Sequence, residues 1–422
     1  MKMESLLLNS VVSSNLHRLF YQTPHHTKQL VKPKPFISAA QFSTQNQQIM
    51  AKRIAVIGCG ISGSVCASTL AKNGMSVTMF DQGRGPGGRM SQRREMTEDG
   101  KELMFDHGAP FFTITDNGVM DLVREWEQRG FVAEWKEKFG SFDFATAKFG
   151  EADSVFHLTH FFTEESTRKK YVGVPGMNSI CKTLCNEPGV EPKFGVTVAN
   201  VQWLAEKNLW SLVDLNGQAL GHFDGLVASH NSIVNLWPST GRKSPLDLTA
   251  FPELAVKLKN TPAIPRFALM LAFPEHQSSI PVKGFSFKNS EVLSWAYCDS
   301  SKPGCSTSSE CWVLHSTEDY ARTIISHTGL QKPSNVLLTE VAEKMLNEFL
   351  RIDSHVPKPF FTRAHRWGGA FPATAVAEDE KCLWDASKKL AICGDFCVSP
   401  NVQGAVVSGV AAAAKFSLLS RV

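Results

Sequence analysis

The sequence predicts an α/β fold, and three observations support this prediction. Hydrophobic residues make up 43% and charged residues 20% of the 422 residues, which excludes a disordered, collagen-like or coiled-coil protein. A strand, a glycine-rich turn, a helix and a second strand follow one another over residues 53–81. Another strand, glycine turn and helix occupy residues 390–419. No apolar run is long enough to predict a membrane-spanning helix.

Residues 1–50 have the composition of a transit peptide, which we expect to be disordered and removed after import. They are rich in Ser, Thr, Gln and Asn and hold five basic residues against one acid, Glu4. A single arginine, Arg18, favours the chloroplast over the mitochondrion. The alternative is a tail that is merely disordered. The remaining residues carry 39 basic and 39 acidic side chains, which gives no case for a nucleic-acid partner.

The ten cysteines are scattered and form no CxxC pair, so the sequence predicts neither a zinc site nor a disulfide framework. The pairs with a spacing of four, Cys181/Cys185 and Cys393/Cys397, are interpreted as buried free thiols. Free thiols fit a reducing compartment. The thirteen histidines show no ligand spacing, and no metal is expected.

The first unit begins with the apolar strand Arg53–Ile57 and continues into the glycine turn GCGISG at 58–63. A helix is predicted over 64–73, and a second strand over 76–80 ends at Asp81. Glycines at this spacing let a pyrophosphate approach the helix N-terminus, and the acid can accept a hydrogen bond from a ribose hydroxyl. The unit therefore predicts dinucleotide binding. The alternative is a turn that only packs a helix on a sheet.

Two further features favour FAD over NAD. The segment GRGPGGRM at 83–90 follows the acid, and its glycines let the chain pass close to a cofactor while Arg89 pairs with phosphate oxygens. A solvated basic loop is the alternative. At the other end, the strand 390–393 is followed by Gly394 and Asp395 and then by a helix that begins at Val402. The positive end of that helix favours an anionic reduced flavin, and a plain NAD enzyme does not require it.

The sequence resembles the renalase-like branch of FAD-dependent oxidoreductases, which is related to the amine oxidases. Four segments support the resemblance: the glycine turn, 86–94, 105–113 and 394–409. Two weaker segments are 171–177 and 365–370. The glycine turn is generic, whereas GGRM followed by DHGAPFFT is more specific to this branch. Together the segments extend from about residue 52 to the C-terminus.

The resemblance implies that these segments bind FAD. Asp395 would accept a hydrogen bond from a ribityl hydroxyl, and the helix from Val402 would point at the N1/O2 edge of the flavin. Val198 would contact the adenine through its backbone. The residues implied to bind FAD are Gly58, Gly60, Ser62, Gly63, Asp81, Gly88, Arg89, Met90, Gly108, Ala109, Val198, Gly394, Asp395, Val402 and Gln403.

The implied fold is a Rossmann-like FAD-binding domain of the amine-oxidase/hydroxybenzoate-hydroxylase type with an interleaved α+β substrate domain. The FAD-binding domain would combine 51–112, 165–240 and 385–422, and the substrate domain would combine 113–164 and 241–384. The residue pattern agrees in outline. It predicts strands over 194–201, 210–215 and 223–228 and an amphipathic helix over 338–350.

The activity implied by the resemblance is oxidation of a small-molecule donor. Renalase-like enzymes are understood to take hydride from misformed dihydronicotinamide nucleotides onto flavin N5 and to pass the electrons to oxygen. The candidate catalytic residues are His107, Arg366 and Trp367, and His230 and His365 are further candidates on the substrate side. Arg366 would bind a phosphate and Trp367 would stack on a nicotinamide or adenine ring. The alternatives are a structural histidine and a tryptophan of the core.

The sequence also departs from the amine-oxidase pattern. A tyrosine commonly lies just before the final helix of those enzymes, whereas this chain has Asn401. Loss of an aromatic cage argues against simple amines as substrates. Gly368 and Gly369 would leave a more open substrate wall. Two alternatives therefore stay open: a desaturase or oxidase of a plastid pigment or isoprenoid, and a non-catalytic flavin-bound structural or assembly protein.

Overall fold

The structure is a computed structural model that describes residues 51–151, 168–230, 244–258, 261–274, 279–305 and 309–419. The predicted leader, 1–50, lies outside these residues. The helices within them are α1 (Ile61–Lys72), α2 (Asn117–Gln128), α3 (Asn178–Cys185), α4 (Pro252–Leu258), α5 (Glu318–Thr328), α6 (Asn335–Leu350), α7 (Asp395–Val398) and α8 (Val402–Leu419). The strands are β1 (Arg53–Ile57), β2 (Ser76–Asp81), β3 (Arg93–Met96), β4 (Glu102–Phe105), β5 (Val132–Glu134), β6 (Phe139–Asp143), β7 (Lys148–Glu151), β8 (Tyr171–Gly173), β9 (Val190–Phe194), β10 (Val198–Leu204), β11 (Leu209–Asp214), β12 (Ala219–Phe223), β13 (Gly225–Ala228), β14 (Ala263–Phe273), β15 (Gly284–Lys288), β16 (Leu293–Cys298), β17 (Glu310–Ser316), β18 (Phe361–Pro372), β19 (Leu383–Asp385) and β20 (Leu390–Ile392).

The first sheet has six strands in the order β19-β20-β13-β1-β2-β9. The pairs from β20 to β9 are all parallel, and only β19 runs antiparallel to its neighbour. The four buried residues of β1 and the whole of β13 are apolar or glycine, as expected of strands covered on both faces. Since the carboxyl ends of parallel strands meet at one edge, this sheet provides a crevice for a ligand there. The predicted α/β fold is confirmed.

The predicted elements of the nucleotide-binding unit are present with small shifts of their bounds. Helix α1 begins at Ile61, three residues before the predicted start, and Gly74 follows it with a φ of 80°. The predicted strand 194–201 is instead two strands, because Gly195 has a φ of 70° and turns the chain between β9 and β10. The predicted strand 223–228 is also divided, since β12 ends at Phe223 and β13 begins at Gly225 in another sheet.

The second sheet has seven strands in the order β18-β14-β17-β16-β15-β6-β7. Its pairs are antiparallel except for β15 with β6. Strand β14 is buried almost throughout, and its side chains alternate between two hydrophobic clusters. Ala268 and Met270 share one cluster with Val65 of α1 and Val406 of α8. Leu269 shares the other with α5 and α6. One face of this sheet therefore looks toward the helices that flank the glycine turn.

Helix α6 covers the other face, as its sequence pattern predicts. Val341, Met345 and Phe349 are buried, and Leu338 packs against the same cluster. Ser334 is the N-cap of the helix, and its hydroxyl accepts a hydrogen bond from the Leu337 amide. The chain visits each large sheet more than once, as in an interleaved arrangement. Strand β19 pairs with β20 in the first sheet from Leu383, close to the predicted boundary at about 385. The domain bounds stay a prediction.

Helices α1 and α8 cross in close contact. A Cβ atom on Gly409 would lie 2.4 Å from the Ser62 carbonyl oxygen, so only a glycine permits this approach. The Ser408 hydroxyl accepts a hydrogen bond of 3.0 Å from the Gly394 amide at the end of β20. These contacts fix the C-terminal unit against the N-terminal glycine turn. All ten cysteines are free, and nine of them are buried.

Candidate cofactor and active site

The first glycine turn is held tightly between the ends of β1 and β13. Gly58 has a φ of 103°, and a Cβ atom there would lie 2.4 Å from the Ser229 hydroxyl oxygen. A Cβ atom on Gly63 would lie 2.1 Å from the Gly58 carbonyl oxygen. Gly60 stands at the N-terminal cap of α1, where no side chain caps the helix and no acid occupies the first turn. The amides of that turn are therefore available to bind an anion at the crevice.

The second glycine segment lies alongside the first. The Gly87 amide donates a hydrogen bond of 2.9 Å to the Cys59 carbonyl, and Gly60 and Gly87 form an isolated β-bridge. Gly88 has a φ of 55°, and its Cβ would lie 3.5 Å from the Gly60 Cα. Met90 is buried against the hydrophobic core. Two glycine-rich loops therefore border one cleft. Because glycines have no side chain, a cofactor can approach the backbone of both loops closely.

Asp81 joins the two loops at the end of β2. Its Oδ2 accepts a hydrogen bond of 2.7 Å from the Cys59 amide, and its Oδ1 accepts one of 2.7 Å from the Gly83 amide. A carboxylate has about four acceptor sites, so it retains capacity for a ribose hydroxyl. The role of Asp81 toward the ribose stays a prediction.

His230 follows β13 on the cofactor side of the cleft. A Cβ atom on Gly58 would lie 3.0 Å from the His230 Cδ2. Burial lowers the pKa of His230, with Asp81 opposing the shift and Arg89 adding to it. The histidine therefore borders the glycine turn, and its role on the substrate side stays a prediction.

Arg89 and Asp395 form a bidentate ion pair across the cleft. Arg89 Nη1 lies 2.5 Å from Asp395 Oδ2, and Nη2 lies 2.7 Å from Oδ1, although the residues are 306 positions apart. Asp395 is 2% exposed. Burial lowers the pKa of the Arg89 guanidinium, but the carboxylate of Asp395 outweighs it and the pKa is raised. The guanidinium also lies 5.8 Å from the centre of the Phe371 ring. The predicted phosphate-binding arginine is thus charged and held in one orientation by the predicted ribityl-binding acid.

The Ser62 hydroxyl supports a polar ligand in this cleft. Its Oγ is buried and makes no well-formed hydrogen bond within the described part of the chain. It lies near the Cys393 thiol and helps to lower the pKa of that thiol. A buried hydroxyl without a well-formed hydrogen bond costs about 1–3 kcal/mol, which a ligand oxygen can recover. Together with the glycine cradle, this group fits FAD, whose pyrophosphate would lie at the N-terminus of α1.

The first turn of α8 is organised by two side chains. The Asn401 Oδ1 accepts a hydrogen bond of 2.7 Å from the Gly404 amide and so caps the helix. The Gln403 Oε1 accepts hydrogen bonds from the amides of Thr115, at 2.6 Å, and Asp116, at 3.0 Å. The side chain of Gln403 therefore ties α8 to the start of α2, and only its backbone remains for the cofactor. Val402 packs against the hydrophobic core.

The segment DHGA lies against the backbone of Arg89. The Ala109 amide donates a hydrogen bond of 3.0 Å to the Arg89 carbonyl. A Cβ atom on Gly108 would lie 2.1 Å from that carbonyl oxygen and 3.1 Å from the Trp367 Cζ2. The four segments implied to bind FAD therefore converge on one cleft. Val198 is more distant in the sequence but is buried in the cluster that contains Ile57 and Phe80, near the same sheet edge.

Three rings form the wall beyond Gly108. The His107 ring stacks on Trp367 with centroids 5.0 Å apart, and His365 lies edge-on to both at 4.8 Å. The Trp367 Nε1 donates a hydrogen bond of 3.1 Å to the His107 carbonyl, and the His315 Nε2 lies 3.1 Å from the same oxygen. We name His107, His365 and Trp367 the ring cluster.

The histidines of the ring cluster are neutral at physiological pH. Burial, followed by His365, Arg93 and His315, lowers the pKa of His107 to about 3. Burial, followed by nearby arginines, lowers the pKa of His365 to about 4. The buried His107 Nδ1 has no well-formed hydrogen bond within the described residues. Neutral imidazoles can orient a polar planar ligand through hydrogen bonds, but they do not supply a positive charge.

Arg366 does not share this wall. It follows His365 on β18, and successive side chains of a strand point to opposite faces. Its guanidinium donates hydrogen bonds of 3.0 Å to the carbonyls of Gly329 and Leu330 and a further bond to that of Gln331, in the loop after α5. The position corrects the prediction that Arg366 and Trp367 together face the substrate.

A buried ion cluster behind His107 was not predicted. The Lys302 Nζ lies 2.9 Å from Asp106 Oδ2 and 2.5 Å from Asp299 Oδ1, and all three side chains are at most 2% exposed. The Met177 amide donates to both oxygens of Asp106, and the Tyr297 hydroxyl donates to its carbonyl. Burial raises the pKa of Asp106 to about 7, against the effect of Lys302. The cluster fixes the backbone from which His107 and Gly108 project.

The sequence has no local signal for this cluster, since Lys302 and Asp106 are 196 positions apart.

None of the helices formed by the described residues has the length and apolar character needed to cross a membrane. Within the same residues, no group of three or more His, Cys, Asp or Glu side chains is arranged to hold a metal ion.

Comparisons with known proteins agree with the fold and the cleft. Residues 56–126 match the model of an NAD(P)-binding Rossmann-like domain, and residues 127–415 match that of flavin containing amine oxidoreductases. Over 79 residues the chain is 35% identical to the mitochondrial protoporphyrinogen oxidase of Nicotiana tabacum. That match spans 19% of this chain and only 15% of the relative.

Solved structures share the fold at low identity. A putative protoporphyrinogen oxidase from Exiguobacterium sp. 255-15 superposes with a TM-score of 0.63 at 12% identity, covering 87% of this chain and 99% of that chain. A wild-type putrescine oxidase bound to putrescine superposes with a TM-score of 0.59 at 10% identity, covering 87% and 99%. These structures show the fold alone, and the family model identifies the chain as an FAD-dependent oxidoreductase. The chain belongs to the flavin containing amine oxidoreductase family, which confirms the predicted superfamily and cofactor.

Proposed function

We propose that the protein is a renalase-like oxidase that takes hydride from a dihydronicotinamide-type small molecule and uses oxygen as its acceptor. When bound, FAD would supply a two-electron acceptor at N5, and oxygen is the co-reactant that would take up those two electrons together with two protons to give hydrogen peroxide. The residues of the chain that support this proposal are the ring cluster, the DHGA segment and the cap of α8. Each contributes to holding a planar donor rather than to acid–base chemistry.

One observation carries the choice of donor. Asn401, at the position where an amine oxidase commonly has a tyrosine, caps α8 through its hydrogen bond with the Gly404 amide. A capping amide cannot provide the ring face that attracts a substrate ammonium group. The low histidine pKa values agree, because hydride transfer from a dihydropyridine needs no general base at the donor carbon. The ring cluster supplies flat, neutral surfaces that a nicotinamide ring can contact.

The remaining residues position the donor. Gly108 and Ala109 run along the Arg89 backbone, so this part of the wall is fixed relative to the phosphate-binding cleft. The hydrogen bond from the Trp367 indole to the His107 carbonyl locks one ring of the cluster to the same segment. Holding the donor carbon in a fixed orientation replaces a bimolecular encounter with a prearranged one. The largely buried rings also exclude water from the reacting face.

The test is anaerobic stopped-flow spectroscopy of the FAD-loaded full chain. The protein is mixed with ordinary NADH and NADPH, with their 2- and 6-dihydro isomers, and with primary amines. We expect rapid bleaching of the flavin band by the dihydro isomers and slow or absent bleaching by the amines. Fast reduction by amines, or a flavin that every nicotinamide donor leaves oxidised, would overturn the proposal.

A second candidate is an oxidase of a plastid pigment. The segment shared with the tobacco protoporphyrinogen oxidase favours it, although that segment covers a small part of either chain. This function predicts flavin reduction by a porphyrinogen or a related pigment precursor and none by dihydronicotinamides. The same anaerobic stopped-flow measurement, with a porphyrinogen among the donors, distinguishes the two functions.

We also propose that the protein acts in the chloroplast, with the mitochondrion as second choice. The composition of residues 1–50 supports an organelle, and the relative from tobacco is named as mitochondrial. The subcellular localisation of a fluorescent protein fused to residues 1–50 tests this proposal. Uniform cytosolic fluorescence would contradict both choices.

A further inference from the structure

Strand β18 presents a charged residue next to the ring cluster. Arg363, His365 and Trp367 stand at alternating positions and therefore share one face of the strand. Arg366, which the sequence suggested as the phosphate ligand, lies on the opposite face. Arg363, whose guanidinium group can bind phosphate, is thus present on the face of β18 that carries His365 and Trp367, two positions before His365.

The hairpin of β3 and β4 packs over this face and adds a second arginine. Phe105 of the hairpin stacks on Phe361 of β18 with ring centroids 5.6 Å apart and an interplanar angle of 16°. Arg93 stands opposite Phe105 in the hairpin register. The Arg93 Nε lies 2.5 Å from Glu95 Oε1, and the Arg363 Nη1 lies 3.1 Å from Glu95 Oε2. Glu95 therefore holds both guanidinium groups beside the ring cluster.

The charge of this group is not balanced. Two guanidinium groups share one carboxylate, which leaves a net charge of about +1. The side chains of Arg93 and Arg363 are 33% and 48% exposed, whereas Glu95 is 14% exposed. Each guanidinium uses a single nitrogen on Glu95 and makes no other hydrogen bond within the described residues. Several N–H donors thus remain for an anion that reaches the group from solvent.

The positive charge also reaches the ring cluster. Arg93 and Arg363 both act to lower the pKa of His365, after burial, and Arg93 acts in the same way on His107. The two arginines are therefore electrostatic neighbours of the rings. Along the strand, Arg363 and Trp367 are four residues or about 13 Å apart. A ligand that engages both ends must have a planar ring at one end and an anion at the other.

We propose that Arg93 and Arg363, held by Glu95, form a subsite for the phosphate of a nucleotide donor whose ring lies against the ring cluster. The identity of the donor rests on the proposed function. The subsite itself requires only a phosphate monoester or diester attached to a planar heterocycle. It takes over the role that the sequence assigned to Arg366.

The first test measures binding without turnover. Calorimetric titration of the FAD-loaded full chain compares oxidised nicotinamide mononucleotide, its phosphate-free riboside and inorganic phosphate. We expect the mononucleotide to bind most tightly. Arg363→Gln and Arg93→Gln should each weaken its binding by about tenfold and leave binding of the riboside unchanged. The matched control is Arg124→Gln, an exposed arginine paired with Asp121 on α2, which should leave all three affinities unchanged.

Three results of the titration would overturn the subsite: equal affinity of the wild type for mononucleotide and riboside, an equal loss of both in Arg363→Gln, or no binding of the mononucleotide. If inorganic phosphate binds as tightly as the mononucleotide, the two arginines form a site for free anions, and the proposed subsite is also overturned. The second test is anaerobic flavin reduction by the 6-dihydro forms of the same mononucleotide and riboside. Arginine-dependent binding without any flavin reduction would overturn the proposed function and leave the subsite standing.

Discussion

Gly108 is the residue on which the two halves of the site depend most directly. Its α-carbon faces the Arg89 carbonyl oxygen and the Trp367 ring, and a Cβ atom would lie 2.1 Å from the former. Gly108→Ala must therefore push the DHGA segment away from the cofactor cleft, and we expect the purified variant to lose most of its FAD. The measurement is the ratio of flavin to protein absorbance.

The control for this change lies in the second glycine loop. A Cβ atom on Gly85 has nothing within 4 Å. Gly85→Ala should retain FAD at the level of the wild type. Equal flavin content in Gly108→Ala and the wild type would show that the DHGA segment does not border the cofactor.

Asp395 provides a second prediction about FAD affinity. Asp395→Ala removes the partner that orients Arg89 and a hydrogen-bond acceptor at the cleft. We expect FAD to dissociate about 5- to 150-fold more readily, which corresponds to about 1–3 kcal/mol. Fluorescence titration of the apoprotein with FAD measures the change. Asp224→Ala, which removes the acceptor of the Arg53 amide at the other end of β1, is the matched control and should bind FAD normally.

The partly buried His365 makes stability depend on pH. Its pKa in the folded protein is about 4, below the ordinary value of 6.5. The unfolded chain therefore binds the extra proton first, and the free energy of unfolding decreases as pH falls from about 6.5 to about 4. This histidine contributes up to about 1.4 kcal/mol per pH unit in that window.

The prediction is tested with His365→Gln. Urea unfolding of the variant should depend less steeply on pH than that of the wild type between pH 6.5 and 4. Asp106 acts in the opposite sense, because its pKa is raised to about 7, but its effect is common to both proteins and cancels in the difference. Parallel pH profiles would contradict a lowered pKa of His365 in the folded protein.

At the scale of elements, strand β18 decides which side chains meet. The sequence motif around Trp367 suggested that Arg366 and Trp367 act together, because the two are adjacent in the chain. The strand separates neighbours and brings alternate residues together, so Arg363, His365 and Trp367 share a face instead. Only the knowledge that 361–372 is a strand distinguishes these arrangements, and the two glycines within it obscure the alternation.

The loop after β16 supports the segment that carries His107. Lys302 is 0% exposed and lies between two aspartates, so Lys302→Met leaves buried carboxylates without their counter-charge. We expect a loss of about 3–5 kcal/mol in the free energy of unfolding. Chemical denaturation at pH 7 measures it. The exposed pair of Lys101 with Asp99 offers the control Lys101→Met, which should leave the denaturation midpoint nearly unchanged.

Partial recovery would identify the cause. In Lys302→Met with Asp299→Asn, one of the two buried negative charges is removed as well. We therefore expect the double variant to be more stable than Lys302→Met alone. A double variant that is less stable would show that packing of the lysine stem, rather than its charge, supports the loop.

At the scale of the whole molecule, the sequence predicted those parts of the fold that are encoded locally. The glycine turn, its strands and α8 follow from residues within a short stretch of chain, and all of them are present. The division of 194–201 into two strands depends on the backbone conformation of Gly195, which the alternating pattern around it conceals. The ion cluster of Asp106, Asp299 and Lys302 arises only when distant segments pack. Local patterns carry no information about such a contact.

The pairing of Arg89 with Asp395 also has a consequence for the order in which the protein is made. Translation delivers the glycine turn and Arg89 well before Asp395, which is 306 positions after Arg89 and is followed by α8. The sheet edge is thus exposed on the nascent chain long before the cleft can close around a flavin. We therefore expect FAD to be captured only after Asp395 and α8 have been synthesised. A product that terminates at residue 393 would contain all twenty of the described strands yet lack redox activity.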